Sequence, residues 1–240
     1  HLRLQVMTAG MQLEQLWQLA DDVDSQLTEQ LQYAYSEDLG FLTACPTNVG
    51  TGIRASVMLH LPGLVLANQI EAITQAVHSI GFVVRGLYGE GSDADGNLFQ
   101  ISNQSTLGES EIYIIEKLEK IIRQIVEHER NARQVLLERK PKYLYDHIGR
   151  AYGILRHAYV LESSEALRQL SALRLGIDLK MFSSIDAHTI NELLVMIQPG
   201  HLQKIHNRTL DENERDTARA DIVRGRLNGS KRETTDEQTH

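Results

Sequence analysis

The sequence predicts an α+β fold in which a sheet flanked by helices is followed by a wholly helical region. Short runs of alternating apolar and polar residues predict strands in the first half, and apolar residues at helical spacing dominate the rest. No strand-like run follows Pro141, so the chain divides into a mixed part and a helical part. We therefore expect domains over residues 1–140 and 141–227, with a disordered polar tail over residues 228–240.

The mixed part should begin with the strand HLRLQVM and the helix MQLEQLWQLADDVDSQLTEQL. GFLTACP and RASVMLHLP predict two further strands, each ended by a proline, and LVLANQIEAITQAVHSIG predicts one amphipathic helix ended by Gly81. FVVRGLYG and NLFQISNQ predict strands joined by the polar loop EGSDADG. A long helix with Glu and Lys pairs on its solvent face should follow, from GESEIYIIEKL to LLERK.

The helical part contains four segments with helical spacing, which span residues 143–158, 163–175, 186–197 and 211–227. Ser163, which is followed by an acidic residue, and Asp211 are the expected N-terminal caps of two of these helices.

Composition excludes several classes of function. The net charge of −8 provides no basic face for nucleic acid, and no apolar run approaches the roughly 18 residues of a membrane helix. Cys45 is the single cysteine, so no disulfide can form within the chain. Because the N-terminus also shows no secretory signal, we expect a cytoplasmic protein.

Three arginines occur within or at the ends of predicted strands: Arg3, Arg54 and Arg85. Arginine stays charged at physiological pH, so three of them on one apolar sheet indicate a shared anion, and a polyphosphate fits their forked donors best. The alternative for each arginine is a surface position or an ion pair with one of the 32 acidic residues.

Cys45 and Glu90 both lie beside glycine-containing turns. A carboxylate at the tip of a loop such as RGLYGEGS could hold a cationic substrate or accept its proton, although most loop acids are simply solvated. A lone cysteine is most often a small core residue.

Several other sites are excluded because their motifs are missing. The chain has neither a GxxxxGK[ST] loop nor a strand-associated GxGxxG fingerprint, and its histidines form no HExxH zinc motif. A serine hydrolase has no GxSxG elbow to support it.

The run CPTNVGTGIRASVMLHLP resembles the signature of the ATP:guanidino phosphotransferases, the family of creatine and arginine kinases. RGLYGEGSDADGNLFQISNQSTLG resembles a second block of that family. The helical extension and the segment RDTARA, residues 215–220, are similar to bacterial protein-arginine kinases of the McsB type. The resemblance runs from His1 to about Leu227 and implies a phosphagen-kinase and glutamine-synthetase-like domain with an antiparallel sheet.

The resemblance also implies roles for residues at matching positions. Cys45 would be the reactive active-site cysteine and Glu90 the glutamate of the substrate-binding loop. The implied nucleotide contacts are Arg3, Arg54, Ala55, Ser56, Val57, Met58, Arg85, Gly86, Leu87, Tyr88 and Gly89. The implied phosphoarginine pocket consists of Arg215, Asp216, Arg219 and Ala220.

These implications describe a kinase that uses ATP and Mg²⁺ to phosphorylate arginine side chains in proteins, with no metal ligands of its own. Glu90 would accept a proton from the guanidinium, and the arginines would stabilise the transferring phosphoryl group. The same cations would lower the pKa of the Cys45 thiol, and the resulting thiolate would steer the guanidinium. The family's second catalytic glutamate lies upstream of His1, so we expect partial nucleotide affinity and negligible turnover from this chain alone. The resemblance further implies a homodimer or higher oligomer, a zinc-binding activator and a Clp-type protease as partners.

Two alternatives stay open. One is a phosphagen kinase for a free guanidino metabolite. The other is a phosphoarginine-binding adaptor without catalysis, in which Arg215 and Arg219 share one helical face; an exposed helix with ordinary ion pairs would show the same spacing.

Overall fold

The computed structural model describes residues 2–86 and 94–229, and within these ranges no helix is long and apolar enough to cross a membrane. The strands are β1 (Tyr35–Ser36), β2 (Gly40–Phe41), β3 (Ser56–His60), β4 (Phe82–Gly86) and β5 (Leu98–Asn103). The helices of the mixed part are α1 (Leu13–Thr28), α2 (Pro62–Leu66), α3 (Ile70–Ser79) and α4 (Glu111–Arg139). The later helices are α5 (Pro141–His157), α6 (Ser163–Asp178), α7 (Ala187–Met196), α8 (Pro199–His206) and α9 (Glu212–Gly229).

The main sheet is antiparallel and has the strand order β3-β5-β4, which confirms the predicted α+β class. Val57, Ile101 and Val84 form one row across it and turn toward the core. Ile114, Leu118 and other apolar residues of α4 lie in the same core. The helices thus cover one face of the sheet, because that face of the alternating strands is the more apolar one.

The predicted first strand is wrong. Residues 2–7 adopt no strand, and Leu2, Leu4 and Met7 expose 62%, 42% and 81% of their surface. Alternation of apolar residues permits a strand, but a strand also needs a partner to bond its backbone, and the described residues provide none here.

Three other predictions need correction in the mixed part. GFLTACP forms only the two-residue strand β2, which pairs with β1 and bridges from Phe41 to Gly50. The single helix predicted after Pro62 is two helices, α2 and α3, because Asn68 adopts a left-handed conformation with φ of +56°. Pro62 also begins α2 instead of merely ending β3, since proline suits the first turn of a helix.

The helical part has its own apolar core, formed by residues of α5, α6, α7 and α9. The sequence prediction missed α8, which begins at Pro199. Asp211 is confirmed as a cap, because its carboxylate accepts from the Glu214 amide at 2.8 Å while Glu214 accepts from the Asp211 amide at 3.0 Å. Ser163 is not the cap predicted; it is already the first residue of α6.

Candidate functional site

The face of the main sheet opposite the core carries most of the polar and basic strand residues, together with Met58 and Val83. Arg85, Gln100 and Met58 form one row across the three strands, and Val83, Ser102 and Ser56 form the next. Arg54, two residues before Ser56, lies on the same face because strand side chains alternate. We call these residues, together with Arg54, the polar sheet face. Arg85 lies in the same row as Met58, two strands away from it, and Met58 is four residues after Arg54. Strand geometry therefore puts the Cα atoms of Arg54 and Arg85 roughly 16 Å apart.

Arg54 reaches over the central strand, where its Nη2 donates to Ser102 Oγ at 3.0 Å. Arg54 and Arg85 are both exposed, and neither forms an ion pair with any residue in the described ranges. Two unneutralised cations on one face create a positive potential that favours an anion with several charges. The arrangement therefore suits a polyphosphate.

The backbone of β3 adds possible donors at the edge of this face. The Asn103 amide on β5 donates to the Ala55 carbonyl oxygen at 3.3 Å, and hydrogen-bonded pairs alternate in an antiparallel ladder. The backbone N–H and C=O groups of Val57 consequently point toward β5. Those of Ser56 and Met58 point toward the outer edge of β3. No described strand covers that edge.

The loop that carries Cys45 is fastened to the end of β5. Thr106 Oγ1 donates to the carbonyl oxygens of Thr47 at 3.1 Å and Val49 at 2.8 Å, and Thr106 in turn accepts from the Thr51 amide. Gly50 has a φ of +109°, and a Cβ there would lie 2.3 Å from the Thr106 carbonyl oxygen. The close approach therefore requires glycine at this position.

Asn103 joins this loop to the start of β3. Its Oδ1 accepts from the Ala55 amide at 2.9 Å, and its Nδ2 donates to the carbonyl oxygens of Ile53 and Ser105. Arg54 lies between the two bonded residues, so Asn103 fixes the backbone on both sides of it. Sequence reasoning missed Asn103, Thr106 and Ser102; the dense polar run QISNQST after alternating strand residues was the available signal.

The Cys45 thiol is exposed and lies 3.0 Å from Thr47 Oγ1. Hydrogen bonds from the Thr47 side chain and backbone lower the pKa of this thiol below its ordinary value. The predicted direction of the shift is confirmed, but its cause is different, because hydrogen bonding to Thr47 takes the place of the expected neighbouring cations.

Two parts of the predicted site are not joined to this face. Arg3 lies in the segment before α1, which has no regular secondary structure; it is exposed and forms no hydrogen bond or ion pair with the residues described. Leu87, Tyr88, Gly89 and Glu90 lie outside the described residues. Within residues 2–86 and 94–229, no cluster of His, Cys, Asp and Glu could hold a metal ion.

The RDTARA segment lies in the first half of α9 and contains a buried arginine. Arg219 is only 1% exposed, and its guanidinium donates to Leu161 O at 2.6 Å, Ile197 O at 3.2 Å and the Asp216 carboxylate. Asp216 also accepts from the Leu161 amide through its backbone carbonyl. Arg219 therefore ties α9 to the residue two positions before α6 and to the residue just after α7.

Arg215 is more accessible than Arg219. It is half-buried, and its Nη1 donates to the Leu210 carbonyl oxygen at 2.8 Å. No acidic side chain in the described ranges pairs with it. Ala220 is fully buried in the core of the helical part. The structure therefore separates a partly accessible arginine, Arg215, from a buried one, Arg219, whose donors are bonded within its own chain.

Comparisons with known proteins match two successive stretches of the chain to two family models. Residues 1–132 match the family described as ATP:guanido phosphotransferase, C-terminal catalytic domain. Residues 141–238 match the family described as Protein-arginine kinase McsB C-terminal domain.

Relatives over nearly the whole chain are named protein-arginine kinases. One from Halothermothrix orenii is 50% identical over 228 residues, which are 95% of this chain and 65% of that protein. One from Brevibacillus brevis is 51% identical over 227 residues, 95% of this chain and 64% of that protein. The crystal structure of a lombricine kinase is 30% identical, with a TM-score of 0.41, over 49% of this chain and 32% of that one. The chain spans slightly less than two thirds of the length of the two protein-arginine kinases.

Proposed function

This chain belongs to the ATP:guanido phosphotransferase family. From that premise we propose that it is part of a protein-arginine kinase. The proposed reaction transfers the γ-phosphoryl group of MgATP to an arginine side chain of a protein substrate. The observation that carries this proposal is the pair Arg54 and Arg85, two exposed cations without acidic partners among the described residues, on one face of the main sheet. The names of the relatives favour protein arginine as the acceptor.

In the proposed reaction, a guanidinium nitrogen of the substrate attacks the γ-phosphorus. The new N–P bond forms as the bond from the γ-phosphorus to the bridging oxygen breaks, and ADP leaves with that electron pair. The guanidinium nitrogen loses one proton, which a carboxylate accepts. Mg²⁺ enters bound to the nucleotide and offsets charge on the phosphates.

The residues of this chain divide these tasks. Arg54 and Arg85 hold the phosphates with forked donors and stabilise the charge that develops on the transferring group, and Arg3 is proposed to join them. Gly86 to Gly89, with the β3 edge at Ala55 to Met58, would provide the close backbone approach.

Two groups are proposed to act on the guanidinium. Cys45 is exposed and has a lowered pKa, so its thiolate offers a negative charge to the incoming guanidinium. Glu90, which lies outside the described residues, is the proposed proton acceptor.

The RDTARA segment supports a second proposed role, the binding of phosphoarginine. Arg215 is partly exposed and has no acidic partner among the described residues, so it can meet a doubly charged phosphoryl group. Asp216, Arg219 and Ala220 would form the frame of that pocket. A kinase that binds its own product class could recognise marked proteins and present them to a Clp-type protease. We further propose that a zinc-binding protein activates the kinase, that the kinase forms a homodimer or higher oligomer, and that it acts in the cytoplasm.

The experiment that tests the proposed function is phosphoryl transfer by the complete protein that contains this chain. With MgATP labelled in the γ position and an arginine-rich protein substrate, we expect acid-labile label on arginine, located by mass spectrometry. Label on free arginine or creatine but not on protein would favour the metabolite kinase. Binding of phosphoarginine peptides without any transfer would favour the adaptor.

A further inference from the structure

Ser102, on the central strand of the main sheet, holds the guanidinium group of Arg54. Arg54 Nη2 donates to Ser102 Oγ at 3.0 Å. The other N–H groups of Arg54 form no hydrogen bond or ion pair with any residue of the ranges 2–86 and 94–229. An arginine has five N–H donors, so this single bond leaves the rest of them for a ligand.

Ser102 is a fixed acceptor for such a bond. It pairs with Ser56 on β3 and with Val83 on β4, so neighbouring strands flank it on both sides. Ser102 is 1% exposed, and a single torsion angle places its Oγ. Arg54, in contrast, is exposed and has a long side chain with many rotamers. The bond therefore restrains the more mobile of the two partners.

The backbone that carries Arg54 is fixed separately, by the next residue of β5. Asn103 Oδ1 accepts from the Ala55 amide at 2.9 Å, and Asn103 Nδ2 donates to the Ile53 carbonyl oxygen at 3.1 Å. Consecutive strand residues point to opposite faces, so Asn103 acts from the core side of the sheet and Ser102 from the polar sheet face. The bond to Ser102 therefore decides where the guanidinium lies, and not where the backbone lies.

The bond to Ser102 brings the charge of Arg54 toward Arg85. Arg85 pairs with Gln100, which is two residues before Ser102 on β5. Ser102 and Arg85 are therefore diagonal neighbours on one face, with Cα atoms roughly 7–8 Å apart. The Cα atoms of Arg54 and Arg85 are roughly 16 Å apart. The guanidinium of Arg54 is thus held beside a residue that is about half as far from Arg85 as the backbone of Arg54 is.

Two cations that are drawn together repel each other, and an exposed arginine that is not restrained can turn to solvent. The bond to Ser102 opposes that movement of Arg54. An anion that lies between two arginines replaces the repulsion by attraction, because the forked donors of both side chains can contact it. The arrangement therefore suits one polyanion that meets Arg54 and Arg85 together better than two separate anions.

We propose that Ser102 is a positioning residue for the nucleotide, which holds the guanidinium of Arg54 toward Arg85 so that both arginines contact one triphosphate. This inference rests on the proposed function. Ser102 acts through Arg54 and does not itself touch the nucleotide. Loss of its hydroxyl leaves the charge of Arg54 in place and removes only the restraint, so the effect should be smaller than that of losing Arg54.

The test uses the complete protein that contains this chain, with Ser102→Ala as the variant. A released Arg54 side chain has to be ordered again when the nucleotide binds, so we expect the Kd of a fluorescent ATP analogue to rise about fivefold. Ser105→Ala is the matched control, because it removes an exposed hydroxyl just after β5 that bonds Leu107 O and not Arg54. Its Kd should equal that of the unaltered protein.

A double-mutant cycle separates this role from a general effect on the fold. In an Arg54→Ala background, Ser102→Ala should change the Kd by less than about twofold, because the group that Ser102 positions is absent. The same fold-change in both backgrounds would overturn the inference, since it would show that Ser102 acts on binding without Arg54.

NMR relaxation of the Arg54 Nε–H group supplies a measurement that does not depend on the nucleotide. In Ser102→Ala its order parameter should fall, whereas that of the Ala55 amide, still bonded to Asn103, should stay the same. An unchanged Kd in the folded Ser102→Ala protein would overturn the inference, and so would an unchanged order parameter for Arg54. If the unaltered protein binds no ATP analogue, the proposed function itself fails, and the order parameter still decides whether Ser102 orients Arg54.

Discussion

The guanidinium of Arg219 donates a 2.6 Å hydrogen bond to the carbonyl oxygen of Leu161, 58 residues earlier in the chain. The same guanidinium also bonds Ile197 O and the carboxylate of Asp216. One buried cation therefore fastens α9 to the residue two positions before α6, the helix that contacts the sheet through Ser171. This arrangement makes Arg219 a support of the fold, whereas Arg215 is half-buried and is the arginine that we propose binds phosphoarginine.

Arg219→Ala should destabilise the protein strongly. It leaves two buried carbonyl oxygens without donors and Asp216, whose side chain is 15% exposed, without its cation. We expect a loss of about 3–5 kcal/mol in the free energy of unfolding, measured by urea denaturation. Arg215→Ala, which loses one bond to Leu210 O, should cost about 1 kcal/mol and yet abolish binding of a phosphoarginine peptide. Equal stability of the two variants would contradict this division of roles.

Arg54→Ala and Arg85→Ala should each weaken nucleotide binding. Each removes charge-assisted bonds to phosphate worth about 1.5–3 kcal/mol, so the Kd of a fluorescent ATP analogue should rise roughly 10- to 100-fold. The control is Arg123→Ala on α4, where a 72% exposed arginine pairs with Glu119 away from the polar sheet face. An unchanged Kd in the Arg54 and Arg85 variants would remove the main support for the proposed triphosphate site.

Thr47→Val should raise the pKa of the Cys45 thiol. Thr47 stabilises the thiolate through its hydroxyl, and valine keeps the shape of the side chain but not the donor. A higher pKa leaves a smaller fraction of the thiol as thiolate near neutral pH, so alkylation by iodoacetamide should be slower there. At high pH the thiol is fully ionised in both proteins, and the rates should become equal. Thr43→Val is the control, because Thr43 bonds the Cys45 carbonyl oxygen and not its sulfur. Identical pH profiles for the two variants would show that Thr47 does not set the thiol pKa.

Gly50→Ala should displace the Cys45 loop from Thr106. A Cβ at this position conflicts with the Thr106 backbone, and φ of +109° is unfavourable for any other residue. We expect a loss of about 3 kcal/mol in the free energy of unfolding. Gly149→Ala in α5 is the control, since a Cβ at this position would meet no atom within 4 Å. Replacing a helical glycine by alanine should raise the free energy of unfolding by about 0.5–1 kcal/mol. Stabilisation by both substitutions would mean that the loop does not pack as described.

Acidification should destabilise the fold through His60. Its pKa in the folded chain is about 3, depressed mainly by burial and then by Arg133, with Asp178 opposing and Arg174 reinforcing the shift. Between about pH 6.5 and pH 3 the unfolded chain binds a proton at this residue that the native chain does not, so stability falls as the pH falls through this window. Each pKa unit corresponds to about 1.4 kcal/mol.

His60→Gln should therefore flatten the dependence of unfolding free energy on pH within that window, as measured by urea denaturation. His78→Gln, which changes an exposed histidine at the end of α3, should leave the slope as it is. The idea fails if the slope of the His60 variant equals that of the unaltered protein.

Much of the fold could be predicted from the sequence because its signals are local. The spacing of apolar residues correctly indicated α1, α4, α5, α6, α7 and α9 as helices and β3, β4 and β5 as strands, and the carboxylate of Asp211 marked the start of α9. The motifs around Cys45 and RDTARA likewise indicated the family, which the matches over residues 1–132 and 141–238 confirm.

The sequence by itself determined which residue types the site contains, where most helices lie and which family the chain belongs to, because spacing and motif identity are properties of neighbouring residues. Only the tertiary structure decided that residues 2–7 form no strand, that Arg219 is buried while Arg215 stays accessible, and that Ser171 joins α6 to Asn97. The physical reason is that a strand, a buried charge and a buried hydroxyl each need a partner distant in the chain, and local spacing does not reveal which distant groups will meet.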